Sequence, residues 1–150
     1  MRNVLQSLLV LSIFLFVTGA GAQIIINEVD SDQVSDDTEE FIELYDGGVG
    51  NSDLTGYAIV LYTGATDTSY LALDLDGYNT DSNGYFVVGS TGMGTQIELP
   101  PGTQGWLQNG ADAVALYLDD ATSFPNGTAV TSTNLVDALV YGNDNADDPE

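Results

Sequence analysis

A chain of 150 residues with 23 acidic side chains, a single base and neither histidine nor cysteine carries a formal charge of −22, in a length that suits one domain with its own core. So few cations leave nothing to displace counterions from nucleic-acid phosphates or to dock on anionic lipid. Without His, Cys or Lys the chain also excludes Ser-His and Cys-His catalysis, Schiff-base chemistry, His-ligated zinc and disulfides.

The N-terminal stretch MRNVLQSLLVLSIFLFVTGAGA has Arg2, then an apolar run from about Val4 to Val17, then small residues. Ala20 and Ala22 fit the small-x-small rule, so residues 1–22 are predicted to be a signal peptide cleaved between Ala22 and Gln23. The run is short for a span of ~20 residues, and Gly19 and Gly21 break it where a span would continue. The expected product is a secreted, extracellular domain over 23–150. Loss of Arg2 takes the charge from −22 to −23 and leaves no basic side chain. Such a domain has no internal salt bridge to use, so apolar burial and hydrogen bonds must hold it, and screening by salt is expected to help.

From Gln23 onward, short apolar segments alternate with Gly, Asn, Asp, Ser and Thr. Their β-branched and aromatic content predicts strands near Ile24–Val29, Phe41–Tyr45, Tyr57–Tyr62, Tyr70–Leu75, Tyr85–Val88, Ala113–Leu118 and Leu135–Tyr141, with Gln96–Leu99 as a short eighth. In FIELY, Ile42 and Leu44 share one face while Glu43 projects from the other with Phe41 and Tyr45. AIVLY and AVALYL are almost wholly apolar, as central strands covered on both faces would be. No segment has capped amphipathic helical periodicity, and the connectors DGGVGNSDLTG, DGYNTDSNG and STGMGTQ are turn chemistry. The pattern predicts an all-β, two-sheet sandwich of seven or eight strands.

The acidic stretches come next. DSDQVSDDTEE, residues 30–40, lies between the first two strands, and its adopted reading is a solvated connector. The alternative is a calcium site built from Asp30, Asp32, Asp36 and Asp37, since Ca²⁺ takes six to eight oxygens from adaptable loops. Further oxygen-rich groups are Asp74 with Asp76 in DLDG, and Asp144, Asp147 and Asp148 in GNDNADD. The twelve-position calcium-loop register fails for DLDG because its closing position is Tyr85. Glu28 and Glu43 are the carboxylate pair one would nominate for glycosidase-like chemistry, but strand positions suit them better as hydrogen-bond acceptors. Trp106 and the tyrosines could form a sugar platform; alternation along strands reads Tyr57, Tyr62, Tyr70 and Tyr85 as packing residues instead. Asn126 opens an NGT sequon, meaningful only in a eukaryotic host.

Taken in order, IIINEVDSD, EFIELYDG, DLTGYAIVLYTG, YLALDLDGY, NGYFVVGS, WLQNGADAVALYLDD and LVDALVYG resemble the lamin-tail domain in its bacterial secreted form, over nearly all of residues 24–142. The resemblance implies an immunoglobulin-like β-sandwich used as a non-catalytic extracellular module. In bacteria such domains often stand beside secreted nucleases and phosphoesterases of the endonuclease/exonuclease/phosphatase type. The export signal and the lack of bases set this chain apart from nuclear, partner-binding lamin tails. The family pattern runs a little past ALVYGNDNADD, so the domain is expected to extend beyond Glu150. The expected role is structural, adhesive or targeting, without catalytic residues. One alternative is the N-terminal accessory domain of a longer secreted nuclease or phosphoesterase; another is a calcium-dependent carbohydrate or surface binder. Expected partners are an extracellular surface, a polymer or a fused catalytic domain. No cofactor is required, calcium being the open option.

Overall fold

The alternation in FIELY organises the first sheet of the structure, a computed structural model that describes residues 23–33, 37–100 and 106–142. Strand β2 (Phe41–Tyr45) buries Ile42 and Leu44 completely and leaves Phe41, Glu43 and Tyr45 half-exposed on the opposite face. It pairs antiparallel with β1 (Ile25–Asp30) and β5 (Tyr85–Ser90); β6 (Ile97–Leu99) joins β5 in parallel. The second sheet runs β4 (Thr68–Asp74), β3 (Ala58–Thr63), β7 (Asp112–Tyr117), β8 (Leu135–Tyr141), antiparallel throughout. All eight expected strands are present, in two sheets of four. The architecture is an immunoglobulin-like sandwich, and its one helical element among the described residues is a 3-10 turn at Ala121–Ser123.

Between the sheets lies the main core, with Ile42, Leu44, Phe86 and Val88 facing Ile59, Leu61, Val114 and Leu116. Burying one such side chain is worth about 2 kcal/mol, and truncating it to alanine costs ~3 kcal/mol through the cavity left behind. The other face of the second sheet is buried along β3 and β7, while Val140 on β8 is exposed there. Ala58, Val60, Tyr62, Ala115 and Tyr117 form a second cluster there, closed by Phe124 from the β7–β8 connection. Phe124 packs on Tyr117 at 4.5 Å between ring centroids, and the Tyr62 hydroxyl donates to that of Tyr117 at 3.1 Å. This explains why β3 and β7 read as unbroken apolar runs.

A bulge in β1 keeps that strand in phase. Ile26 pairs with Leu44 and Glu28 with Glu43, so Asn27 is the extra residue between them. The first and last strands also meet where the sheets adjoin. The Ile26 N–H donates to Asp137 Oδ2 at 2.9 Å, and the Gln23 side-chain amide donates to the Val136 carbonyl at 3.4 Å.

Candidate functional site

The inward row of β2 continues past both its ends, as Glu40–Ile42–Leu44–Asp46, and all four side chains are fully buried. At the Asp46 end the chain supplies a full set of donors. Asp46 Oδ1 accepts the Gly48 and Val49 N–H groups, each at 2.9 Å. Oδ2 accepts the Gly50 N–H at 3.0 Å and the Ser52 and Thr80 hydroxyls at 2.7 Å each. Burial alone would raise this carboxyl, but the donors from Ser52, Thr80, Gly50 and Val49 outweigh it and hold Asp46 below the usual carboxylate range. Gly84 is required beside it. Its φ is +96°, and a Cβ there would lie 2.1 Å from Asp46 Oδ1.

The Glu40 end is less well supplied. Oε2 accepts the Trp106 N–H at 2.9 Å, while Oε1 is buried without a hydrogen-bond partner among the described residues. Burial, opposed by the Trp106 and Leu107 N–H groups and reinforced by Asp37 and Asp30, pushes the carboxyl up to about 6. Trp106 is itself buried and donates its indole N–H to Ser90 Oγ at 3.1 Å, while the Ser90 N–H donates to the Glu40 carbonyl at 2.9 Å. Nearby, burial pushes the Tyr70 hydroxyl up to about 12 and raises that of Tyr141, the charges of Asp112 and Glu40 adding to both. Asp112 Oδ1 accepts the Gly64 N–H at 2.8 Å. A carboxyl titrating near 6 would suit proton transfer, and Glu40 is fully buried. Through the Trp106 N–H it ties the start of β2 to the stretch that leads into β7.

The sequence-nominated residues fare variously. Asp30 and Asp37 are occupied within their own connector: Gln33 Nε2 donates to Asp30 Oδ1 at 2.9 Å and the Gln33 N–H to Asp37 Oδ1 at 3.2 Å. Asn109 Nδ2 donates to Asp37 Oδ2 at 2.9 Å. Asp32 is exposed, and Asp36 lies outside the described residues, as do Ala22, Asp144, Asp147 and Asp148. No three carboxylates gather as metal ligands among the described residues. Asp74 and Asp76 serve as turn caps, accepting the N–H groups of Asp76 and Gly56. Glu28 is exposed, and Glu43 accepts the Asn27 side-chain amide at 2.7 Å. Tyr57 and Tyr70 pack against the main core and Tyr62 in the second cluster; Tyr85 stacks on Tyr45 at 4.7 Å.

What remains is the outer face of the first sheet. Phe41, Glu43 and Tyr45 on β2 line up with Gly89, Val87 and Tyr85 on β5, while Glu28 stands opposite Glu43 on β1. β2 and β5 meet the other sheet through their inward side chains, while on the outward face Met93 and Thr95 lie against Gly89. Two stacked tyrosines, a phenylalanine and a valine, each partly buried, sit beside Glu28 and Glu43 on this face. On comparison with protein-family models, residues 18–143 match the model described as Lamin Tail Domain. A search of curated proteins gives no match.

Proposed function

This chain belongs to the Lamin Tail Domain family, and from that premise we propose that it is an exported, non-catalytic module with a structural, adhesive or targeting role. The observation that carries this reading is the inequality of its two outer faces. One buries Tyr62 and Tyr117 beneath Phe124 from the β7–β8 connection and leaves Val130 and Val140 exposed, and the other carries a row of partly exposed aromatic side chains. Partly exposed aromatic surface of this kind suits a binding face. The two buried carboxylates serve as anchors for neighbouring loops, which fits the same reading.

The test is made on the exported protein in its producing cells. The parent should partition with the cell surface or matrix, and a Tyr85→Asp variant, secreted in equal amount, should be released to the medium. Residues 23–150 should hydrolyse no DNA, phosphoester or glycoside above buffer. Equal partitioning of parent and variant overturns the binding role; metal-dependent turnover lost in Glu43→Gln overturns the non-catalytic one.

A further inference from the structure

We infer that the open face of the first sheet docks a cationic protein segment, extended and bearing arginine or lysine at alternate positions. This rests on the module reading above and adds the chemistry of its partner. Glu28 and Glu43 stand directly opposite one another in the β1–β2 ladder, where like charges are destabilising. Beyond Arg2 the chain has no base to set between them. Asn27, the extra residue of the bulge, donates to Oε1 of Glu43 and so holds the carboxylate in place on the outer face. Two residues along β2, on the same face, lies the stacked pair Tyr45–Tyr85. A carboxylate held beside partly exposed tyrosine rings is the pairing that holds a guanidinium or ammonium, through charge and through the ring quadrupole.

Other occupants fit worse. A second copy of this chain would bring the same carboxylates against these, with a net charge of −22 on each molecule. A purely apolar partner would strip water from Glu28 and Glu43 and give nothing back. Nucleic acid is repelled. The spacing also agrees, because side chains two apart on an extended segment fall on one side, about 7 Å from one another, in step with Glu43 and Tyr45.

The experiment is calorimetric titration of residues 23–150 with a decapeptide of alternating arginine and threonine, at about 0.15 M NaCl, where screening acts beyond about 8 Å. Glu43→Gln and Tyr85→Leu should each weaken binding about threefold or more. Asp67→Asn makes the same charge change as Glu43→Gln on the exposed β3–β4 turn, where φ is +53° and asparagine is tolerated, and should weaken it by less than about 1.5-fold. Glu28→Gln, on an exposed side chain, gives a second variant should Tyr85→Leu melt low. Equal weakening by the face variants and Asp67→Asn would reduce the effect to diffuse charge and overturn the inference. So would a parent that binds no peptide up to about 1 mM, an affinity of only ~4 kcal/mol. If the face-dependent retention described above persists in that case, the module reading stands without its cationic partner.

Discussion

At either end of β2 the inward row of side chains finishes in a carboxylate, and the two are held in different ways. Asp46 gathers three backbone N–H groups and two hydroxyls, each at 2.7–3.0 Å. Glu40 has the Trp106 N–H on one oxygen and, among the described residues, no hydrogen-bond partner on the other. Burial is the same and the strand is the same, yet one carboxyl is depressed and the other raised to about 6. Donor supply, rather than depth, decides whether a buried carboxylate is a fastening or a strain. The supply has a local cause. Asp46 heads a turn in which Gly47, Gly48 and Gly50 all have positive φ, so successive N–H groups can converge on it. Glu40 must wait for a segment more than sixty residues away in the chain.

The largest expected effect follows from removing the fastening. Asp46→Ala strands three N–H groups and two hydroxyls, and should lower the unfolding free energy by about 3 kcal/mol or more in a urea titration. A loss within about 1 kcal/mol would mean that water replaces the carboxylate and that the two ends do not differ as described.

Glu40→Gln should act in the opposite direction at pH 8. Because the folded carboxyl titrates near 6, above its ordinary 4.5, the stability linked to its protonation is full below 4.5 and is lost as pH rises through 6. Asp46 has the reverse sign, its contribution being present above the ordinary 3.8 and lost as pH falls through its lower folded value. The glutamine variant should therefore gain about 1 kcal/mol at pH 8, with screening discounting the full figure, and should lose the slope between pH 4.5 and 6. Trp106 is the only tryptophan and donates to this carboxylate, so its emission should titrate with a midpoint near 6 in the parent and stay flat in the variant. Destabilisation at pH 8 comparable to that of Asp46→Ala would erase the distinction.

The smallest effect concerns the connector leading to Glu40. Sodium chloride should raise the melting midpoint by screening the net charge, whereas calcium and magnesium at matched ionic strength should act alike, because Asp30 and Asp37 are taken up by Gln33 and Asn109. An extra rise in calcium that is absent when Asp30, Asp32, Asp36 and Asp37 are changed to Asn would establish a site there, growing as RT ln(1 + [L]/Kd).

Much of this molecule is readable from its residues because a strand writes its burial into alternate positions. Phe41–Tyr45 and Leu135–Tyr141 fall where alternation places them, and β3 and β7 are central, as their apolar runs require. β4 begins earlier than expected, at Thr68, because that polar end is pinned by partners distant in sequence, such as the Thr128 carbonyl that accepts the Ser69 N–H. Phe124, whose ring closes the second core, carries no periodic signal because it follows a single 3-10 turn. The buried carboxylates escaped notice for a different reason. In a chain with 23 acids, composition cannot single out two. Phase could have done so: 40, 42, 44 and 46 share one parity, and the apolar pair between them fixes it as inward. Glu28, whose strand position suggested a bonded carboxylate, is exposed, and Asp46 and Glu40 take the backbone bonds instead.

The meeting of β1 and β8 has a mechanical consequence. The Asp30 end of β1 lies where Glu40 is, and Tyr141, near the end of β8, interacts with that same carboxylate. Starts meet as well, through Ile26 with Asp137. The two strands therefore run the same way, and Gln23 and Gly142 leave from opposite ends, separated by about 20 Å of strand. Tension applied between those points would shear the two bonds of the seam, both near the strand starts, rather than peel the strands apart from one end. Pulling on Asp137→Ala should lower the rupture force relative to the parent; an unchanged force would place the resistance elsewhere. A domain gripped this way behaves as a stiff link in line with whatever is attached at its two ends.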